Sequence, residues 1–173
     1  YRKESVFPQG ILSKQIKKIE EKEYPYELIK LDRDETGIIA KRTSKLPISQ
    51  FPVNKKQQDK TGTIVVWERP AKKRPDFGAY YASIDPVSEG KTTTSDSLCS
   101  IFVYKNAIEV TRTLAGGDVE QFIEKDKVVA AWCGRFDDIN RTHERLELII
   151  EWYNAWTIVE NNISLFIQHM IAR

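Results

Sequence analysis

The chain is poor in the residues that would tie a small protein together covalently or around a structural metal. Among 173 residues there are two cysteines, Cys99 and Cys133, and two histidines. Two Cys and two distant His do not make a zinc pattern. Both cysteines lie in apolar, strand-like stretches, so they read as buried reduced thiols in a reducing, cytosolic setting. No run approaches eighteen apolar residues, which excludes an apolar membrane helix. The start, Tyr1-Arg2-Lys3-Glu4-Ser5, lacks the apolar core of a secretory signal. It also lacks an initiator Met, and an excised or processed domain is expected. Charge of one sign is scarce too: the net charge is +2. That balance gives no reason to expect bulk nucleic-acid storage, but leaves room for a local basic patch. No Gly-x-x-x-x-Gly-Lys-Ser/Thr phosphate loop occurs. Gly90-Lys91-Thr92 matches its tail, but the position five before Gly90 is Asp85, so the string reads as a flexible loop. No internal repeat is visible.

What remains is ordinary globular composition, 40% hydrophobic and 30% charged, in a chain long enough for one core. Residues 10–23 read as a helix with apolar positions 11, 12, 16 and 19, closed by Tyr24-Pro25. Two short strands are expected at Tyr26–Leu31 and Gly37–Arg42. Thr43–Thr61, with Pro47, Pro52 and a polar run, reads as an exposed linker. Thr63–Glu68 is a strand candidate. The loop Pro70–Pro75 carries Lys72, Lys73 and Arg74, which together with Lys91 either contact phosphates or form a solvated charged surface. Residues 1–77 are thus expected as a linker or accessory segment, and 78–173 as the main domain.

The second part is more regular. Strands are expected at Ala79–Asp85, Ser97–Tyr104 and Ala107–Thr113, joined by hairpin-length turns. A short helix is expected at Asp118–Lys125 and a strand at Val128–Gly134. The helix Arg141–Asn154 is amphipathic, with Leu146, Ile149, Ile150 and Tyr153 on one face and Asn140 as its N-cap. A strand Thr157–Glu160 and a last helix Ile163–Arg173 follow. This order implies an α/β fold, a mixed sheet flanked by helices with a late crossover. Trp132, Trp152, Tyr153 and Trp156 read as core packing, and His143 as a surface or capping residue rather than a general base.

Two apolar strands each end in a carboxylate: Ile84-Asp85-Pro86 and Ile158-Val159-Glu160-Asn161. If those strands are neighbours, the carboxylates meet at one end of the sheet. Two such groups repel, and a divalent cation removes the repulsion. Hard oxygen donors suit Mg²⁺ or Mn²⁺, and a pair of such ions can serve phosphodiester cleavage. Pattern alone equally allows a turn Asp and a solvated Glu.

The stretch Gly78-Ala79-Tyr80-Tyr81-Ala82-Ser83-Ile84-Asp85-Pro86 resembles the opening strand of the nuclease domain of phage terminase large subunits. Thr94-Ser95-Asp96-Ser97, Trp132-Cys133-Gly134-Arg135-Phe136, the helix through Trp152-Tyr153-Asn154-Ala155, and Val159-Glu160-Asn161-Asn162 follow in that family's order. The resemblance covers roughly residues 78–173. It implies a ribonuclease-H-like fold and a Mg²⁺- or Mn²⁺-dependent endonuclease that cuts concatemeric DNA during packaging in the host cytoplasm. It implies metal-binding, catalytic roles for Asp85 and Glu160, with Asp96 as an auxiliary acidic position. Its partners would be double-stranded DNA, a terminase ATPase domain, the portal and the small terminase subunit, with no membrane. A third essential Asp is expected on a later segment, beyond the end of this sequence. A resolvase- or recombinase-type nuclease of the same fold, or a non-catalytic DNA-binding or portal-docking module, are the alternative expectations.

Overall fold

A computed structural model describes residues 9–21, 25–48, 59–70, 75–88, 90, 97–114, 116–160 and 165–172. Three helices and nine strands are described: α1 (Gln9–Glu20), β1 (Glu27–Asp34), β2 (Gly37–Arg42), β3 (Ile64–Val66), β4 (Tyr80–Asp85), β5 (Cys99–Lys105), β6 (Ile108–Thr113), β7 (Val119–Glu124), β8 (Lys127–Gly134), α2 (Ile139–Tyr153), β9 (Trp156–Val159) and α3 (Leu165–Ile171). Seven strands form one mixed sheet in the order β2-β1-β3-β8-β5-β4-β9. All neighbours are antiparallel except β4 and β9, which run parallel. The α/β expectation therefore holds at the level of a mixed sheet with helices.

The sheet owes its covered face to alternation. Tyr80, Ala82 and Ile84 of β4 are buried, while Ser83 and Asp85 are exposed. Ile101 and Val103 of β5, Ala130 and Trp132 of β8, Val66 of β3, and Ile29 and Leu31 of β1 continue the same core. Period-2 spacing puts them on one side of the pleat. Against that side lies α2, whose Leu146, Ile149, Ile150 and Tyr153 are buried at helical spacing. Each such side chain contributes about 1.5–3 kcal/mol relative to exposure. Phe166 of α3 closes the cluster.

Strands β1, β2 and β3, all before residue 77, belong to the same sheet and core as the later strands. The expected boundary at residue 78 falls between two strands of that one sheet. Longer-range polar contacts join the two portions. The Tyr153 hydroxyl donates to the Glu68 carbonyl at 2.7 Å. Lys105 bridges Glu68 at 2.8 Å and Glu124 at 3.3 Å, and Lys127 pairs with Glu68 at 2.7 Å. In the expected linker, residues 49–58 lie outside the described residues. Its flanks are not uniformly exposed, since Ile48 is buried.

Two local expectations fail. The segment at 118–125 is the strand β7, not a helix, and it pairs with β6 in a separate two-stranded ribbon. Gly117, at φ +85°, permits the turn between them, and Leu114 N–H closes it on Asp118 O at 2.8 Å. Val119, Phe122 and Ile123 favour extended backbone once a partner strand is present. As a consequence the third strand of the β4–β5 meander is β8 rather than β6, with a register shift between Val103 and Tyr104. The cap of α2 is Asp138, not Asn140: its backbone is extended and its carboxylate accepts the Asn140 N–H at 2.9 Å. Asn154, in left-handed conformation at φ 48°, ends the helix, and its amide donates to Pro75 O at 2.7 Å.

Candidate functional site

The direction of the strands decides where chemistry can gather. Strands β1, β4, β8 and β9 all run the same way, as follows from their antiparallel pairing through β3 and β5 and the parallel β4–β9 pair. Their C-terminal ends therefore lie at one end of the sheet. Asp85 closes β4, Glu160 follows β9, and Phe136 lies two residues past β8.

The two strand-end carboxylates come together. In β4 and β9, Ser83 pairs with Ile158 and Ile84 with Val159. The Glu160 N–H donates to Ile84 O at 3.0 Å, carrying the ladder one step further and bringing Glu160 level with Asp85. Adjacent strands are about 4.8 Å apart. Both residues are exposed, as are Ser83 and Ile158 two positions earlier. By alternation the two carboxylates point to the face away from α2. Across the sheet Asp85 pairs with Ser100, and Ser100 with Cys133.

The nearby thiols feel this placement. Burial pushes the Cys99 thiol up to about 12, with Asp85 and Cys133 adding smaller raising effects. Burial, then Asp85, also raises Cys133. Both cysteines are free, Cys99 buried and Cys133 half-buried, as expected from their apolar surroundings. Neither is activated as a nucleophile.

Gly90, five residues after β4, lies against the turn before α2. A Cβ on Gly90 would stand 2.1 Å from Asp137 O and 2.8 Å from Ile139 N, so only glycine permits this approach. Similarly, a Cβ on Gly134 would stand 2.6 Å from Thr61 O, which fixes the end of β8 beside the chain entering β3.

Asp96, Lys72, Lys73, Arg74 and Lys91 lie outside the described residues. Among the described residues, no three His, Cys, Asp or Glu side chains gather to hold a metal. Asp85 and Glu160, two exposed oxygen donors on adjacent strands, fit a hard, partly hydrated divalent cation better than a soft metal. His143 is buried at 4% exposure instead of sitting at the surface. It packs against Phe166 and His169, with ring centroids 5.4 and 5.1 Å away. Its Nε2 has no hydrogen-bond partner among the described residues. The Trp cluster divides: Trp132 is core, while Trp156 is 37% exposed on the edge strand β9 and stacks on Tyr81 at 5.4 Å.

Sequence reasoning missed a second feature at this end of the molecule. Arg141 and Arg145 lie over the ring of Phe136, at 4.9 and 5.6 Å from its centroid. They line a cleft of about 380 Å³ together with Lys30 and Arg33 of β1. The i, i+4 spacing of the two arginines was a visible signal. Their convergence on Phe136 and β1 was not.

The fold and site define a mixed α/β domain with paired strand-end carboxylates. No protein-family model, no curated protein and no solved structure matches the chain. Among the described residues no helix is long and apolar enough to cross a membrane.

Proposed function

We propose that this chain is a metal-dependent endonuclease domain of ribonuclease-H type, from the large subunit of a phage terminase. The observation that carries the reading is the parallel β4–β9 pairing, which sets Asp85 and Glu160 level at one end of the sheet. Supporting it are an antiparallel β4-β5-β8 meander and a return through α2 to a strand beside the first. The residues around Asp85 and Glu160 are those that resemble the terminase family.

Asp85 and Glu160 would hold Mg²⁺ or Mn²⁺, with Asp96 as an auxiliary ligand. Such ions, when bound, supply an activated water and stabilise the leaving oxygen of a phosphodiester. The chain's own contribution is rigidity. Buried Ile84 and half-buried Val159 anchor the two strand ends, and the Glu160 N–H to Ile84 O bond fixes their register. The substrate would be double-stranded DNA, cut with little sequence preference, because backbone contacts carry no base information. An ATPase motor, the portal and the small terminase subunit would be its partners in packaging.

Supercoiled-plasmid nicking in Mn²⁺ tests the reading. Wild type is expected to nick, and Asp85→Asn and Glu160→Gln to fall to background. Equal cleavage by all three would sink the two-carboxylate mechanism. The competing reading is a non-catalytic DNA-binding or portal-docking module. Failure to nick by wild type, with manganese binding also absent, would favour that module.

A further inference from the structure

The cleft over Phe136 is built unlike a simple charged surface. The Phe136 N–H donates to the buried Thr142 Oγ1 at 3.0 Å, which fixes the ring against the first turn of α2. Two guanidiniums then share that one ring. Cation–π attraction holds each cation by its face and leaves the N–H groups at its edge available. Among the described residues neither Arg141 nor Arg145 forms an ion pair or a hydrogen bond, although Arg145 is half-buried. Burial disfavours the Arg145 cation; Asp32 offsets part of this, and the charge of Arg141 disfavours the cation by a smaller amount. Two of the three acidic groups that line the cleft, Asp32 and Glu147, are engaged with other cations; the third, the exposed Glu144, lies between the two arginines in sequence. Asp32 pairs with Lys30 at 2.9 Å and Lys41 at 3.7 Å. Glu147 pairs with Arg33 at 3.5 Å and His169 at 3.2 Å. Two like charges held side by side, with donors to spare, are stabilised by an anion that accepts from both.

Arginine pairs of this kind suit the planar, multidentate acceptor that a phosphate offers. Location says which phosphate. The cleft uses the C-terminal half of β1 and the entry to α2, so it lies at the same end of the sheet as Asp85 and Glu160 but on the α2 face, and a duplex that meets both crosses the strand ends. From β1 to β4 there are four strand steps. At about 4.8 Å each this is roughly 19 Å. One strand of duplex covers that distance in five or six nucleotides, at about 3.4 Å per nucleotide.

We infer that the Phe136-Arg141-Arg145 cleft binds the phosphate backbone of the DNA substrate, anchoring the duplex several nucleotides from the carboxylate pair. This rests on the nuclease reading for the identity of the substrate, but not for the existence of the anion site. Arg141 and Arg145 are positioning residues: they hold the duplex and touch no reacting bond.

The experiment is fluorescence anisotropy with a short labelled duplex in EDTA, across a salt series. It compares wild type, Arg141→Ala, the double variant Arg141→Ala/Arg145→Ala, and Asp85→Asn. Thermal melting reports folding, and the exposed Arg141→Ala serves if the double variant fails to fold. Each lost phosphate contact is expected to lower the slope of log affinity against log salt by about 1, and to weaken binding to all sequences alike. Asp85→Asn, which removes a negative charge facing the phosphates when no metal is present, should bind at least as tightly as wild type and keep the wild-type dependence on Arg141 and Arg145. Inorganic phosphate should compete weakly with the duplex for wild type, and no better than chloride for the double variant. A folded double variant, or Arg141→Ala, with unchanged affinity and slope overturns the inference. So does phosphate competing at far lower concentration than the duplex phosphates themselves, which would mark a site for free phosphate. Loss of binding in the arginine variants, with Asp85→Asn nicking as well as wild type, would keep the cleft and remove the two-carboxylate nuclease reading.

Discussion

Replacing Tyr153 by Phe deletes one oxygen and tests whether the early strands and the later ones form one cooperative unit. Tyr153 sits in the last turn of α2, fully buried, with its ring edge-on to Tyr80 at 5.1 Å. Its hydroxyl donates to the Glu68 carbonyl, 85 residues away in sequence, at 2.7 Å. Burial raises its pKa, so the phenol remains a donor throughout the working pH range. The substitution leaves the ring contacts in place. A net hydrogen bond is worth about 0.5–1.5 kcal/mol, and a stranded buried carbonyl costs about 1–3. Glu68 is only half-buried, so water relieves part of that cost. A loss of about 1–2 kcal/mol is expected. For a domain of this size, each kcal/mol lowers the melting midpoint by about 2–4 °C. Thermal unfolding should therefore show a single transition, lowered by several degrees, with faster amide exchange at β3 as well as in α2. Tyr153→Leu should cost more, about 3 kcal/mol, because the aromatic contacts with Tyr80 and Trp152 go too. An unchanged midpoint for Tyr153→Phe, or separate transitions with β3 exchange unaffected, would refute the single-unit reasoning.

The buried imidazole of His143 gives a pH dependence. Burial, then His169, lowers its pKa below 6.5. Above pH 6.5 it is neutral in both states. As the pH falls below that value the unfolded chain takes up a proton first, so stability declines towards the folded-state pKa. Urea midpoints measured against pH should show this decline, and His143→Leu should flatten its share of it; identical profiles would contradict the burial. Thiol labelling separates the cysteines. Native Cys99, held up to about 12, should resist iodoacetamide until unfolding, while half-buried Cys133 reacts first; rapid native labelling of Cys99 would contradict its placement. Gly90→Ala forces a Cβ into the Asp137 carbonyl and should cost about 1–3 kcal/mol. Circular dichroism melts check it, and a neutral outcome would show that Gly90 does not lie against the turn before α2.

Much of this architecture was legible because local patterns carry it. The alternation through Tyr80–Asp85 and the 3.6-residue spacing of Leu146, Ile149, Ile150 and Tyr153 each define a buried face without knowledge of the partner. Pairing was harder. Ala107–Thr113 reads like the next strand of the meander, yet β5 is flanked by β8, 22 residues further on from its end. Nothing local distinguishes a strand that joins the sheet from one that turns into a ribbon. The sequence Val119–Glu124 mixes helix-favouring Glu and Gln with extended-favouring Val, Phe and Ile, and the partner β6 decides the outcome. The carboxylate pair was visible as two strand ends, but their adjacency depended on a parallel crossover. The arginine cleft escaped notice because Phe136, α2 and β1 meet only in the folded chain.

The central claim is that Asp85 and Glu160 share a divalent cation. A crystal of the protein soaked in Mn²⁺, with anomalous scattering measured at the manganese edge, tests it most directly. A manganese peak is expected with carboxylate oxygens of both Asp85 and Glu160 in its coordination shell, at about 2.1 Å. A peak elsewhere, or none at this end of the sheet with the two carboxylates turned apart, would contradict it.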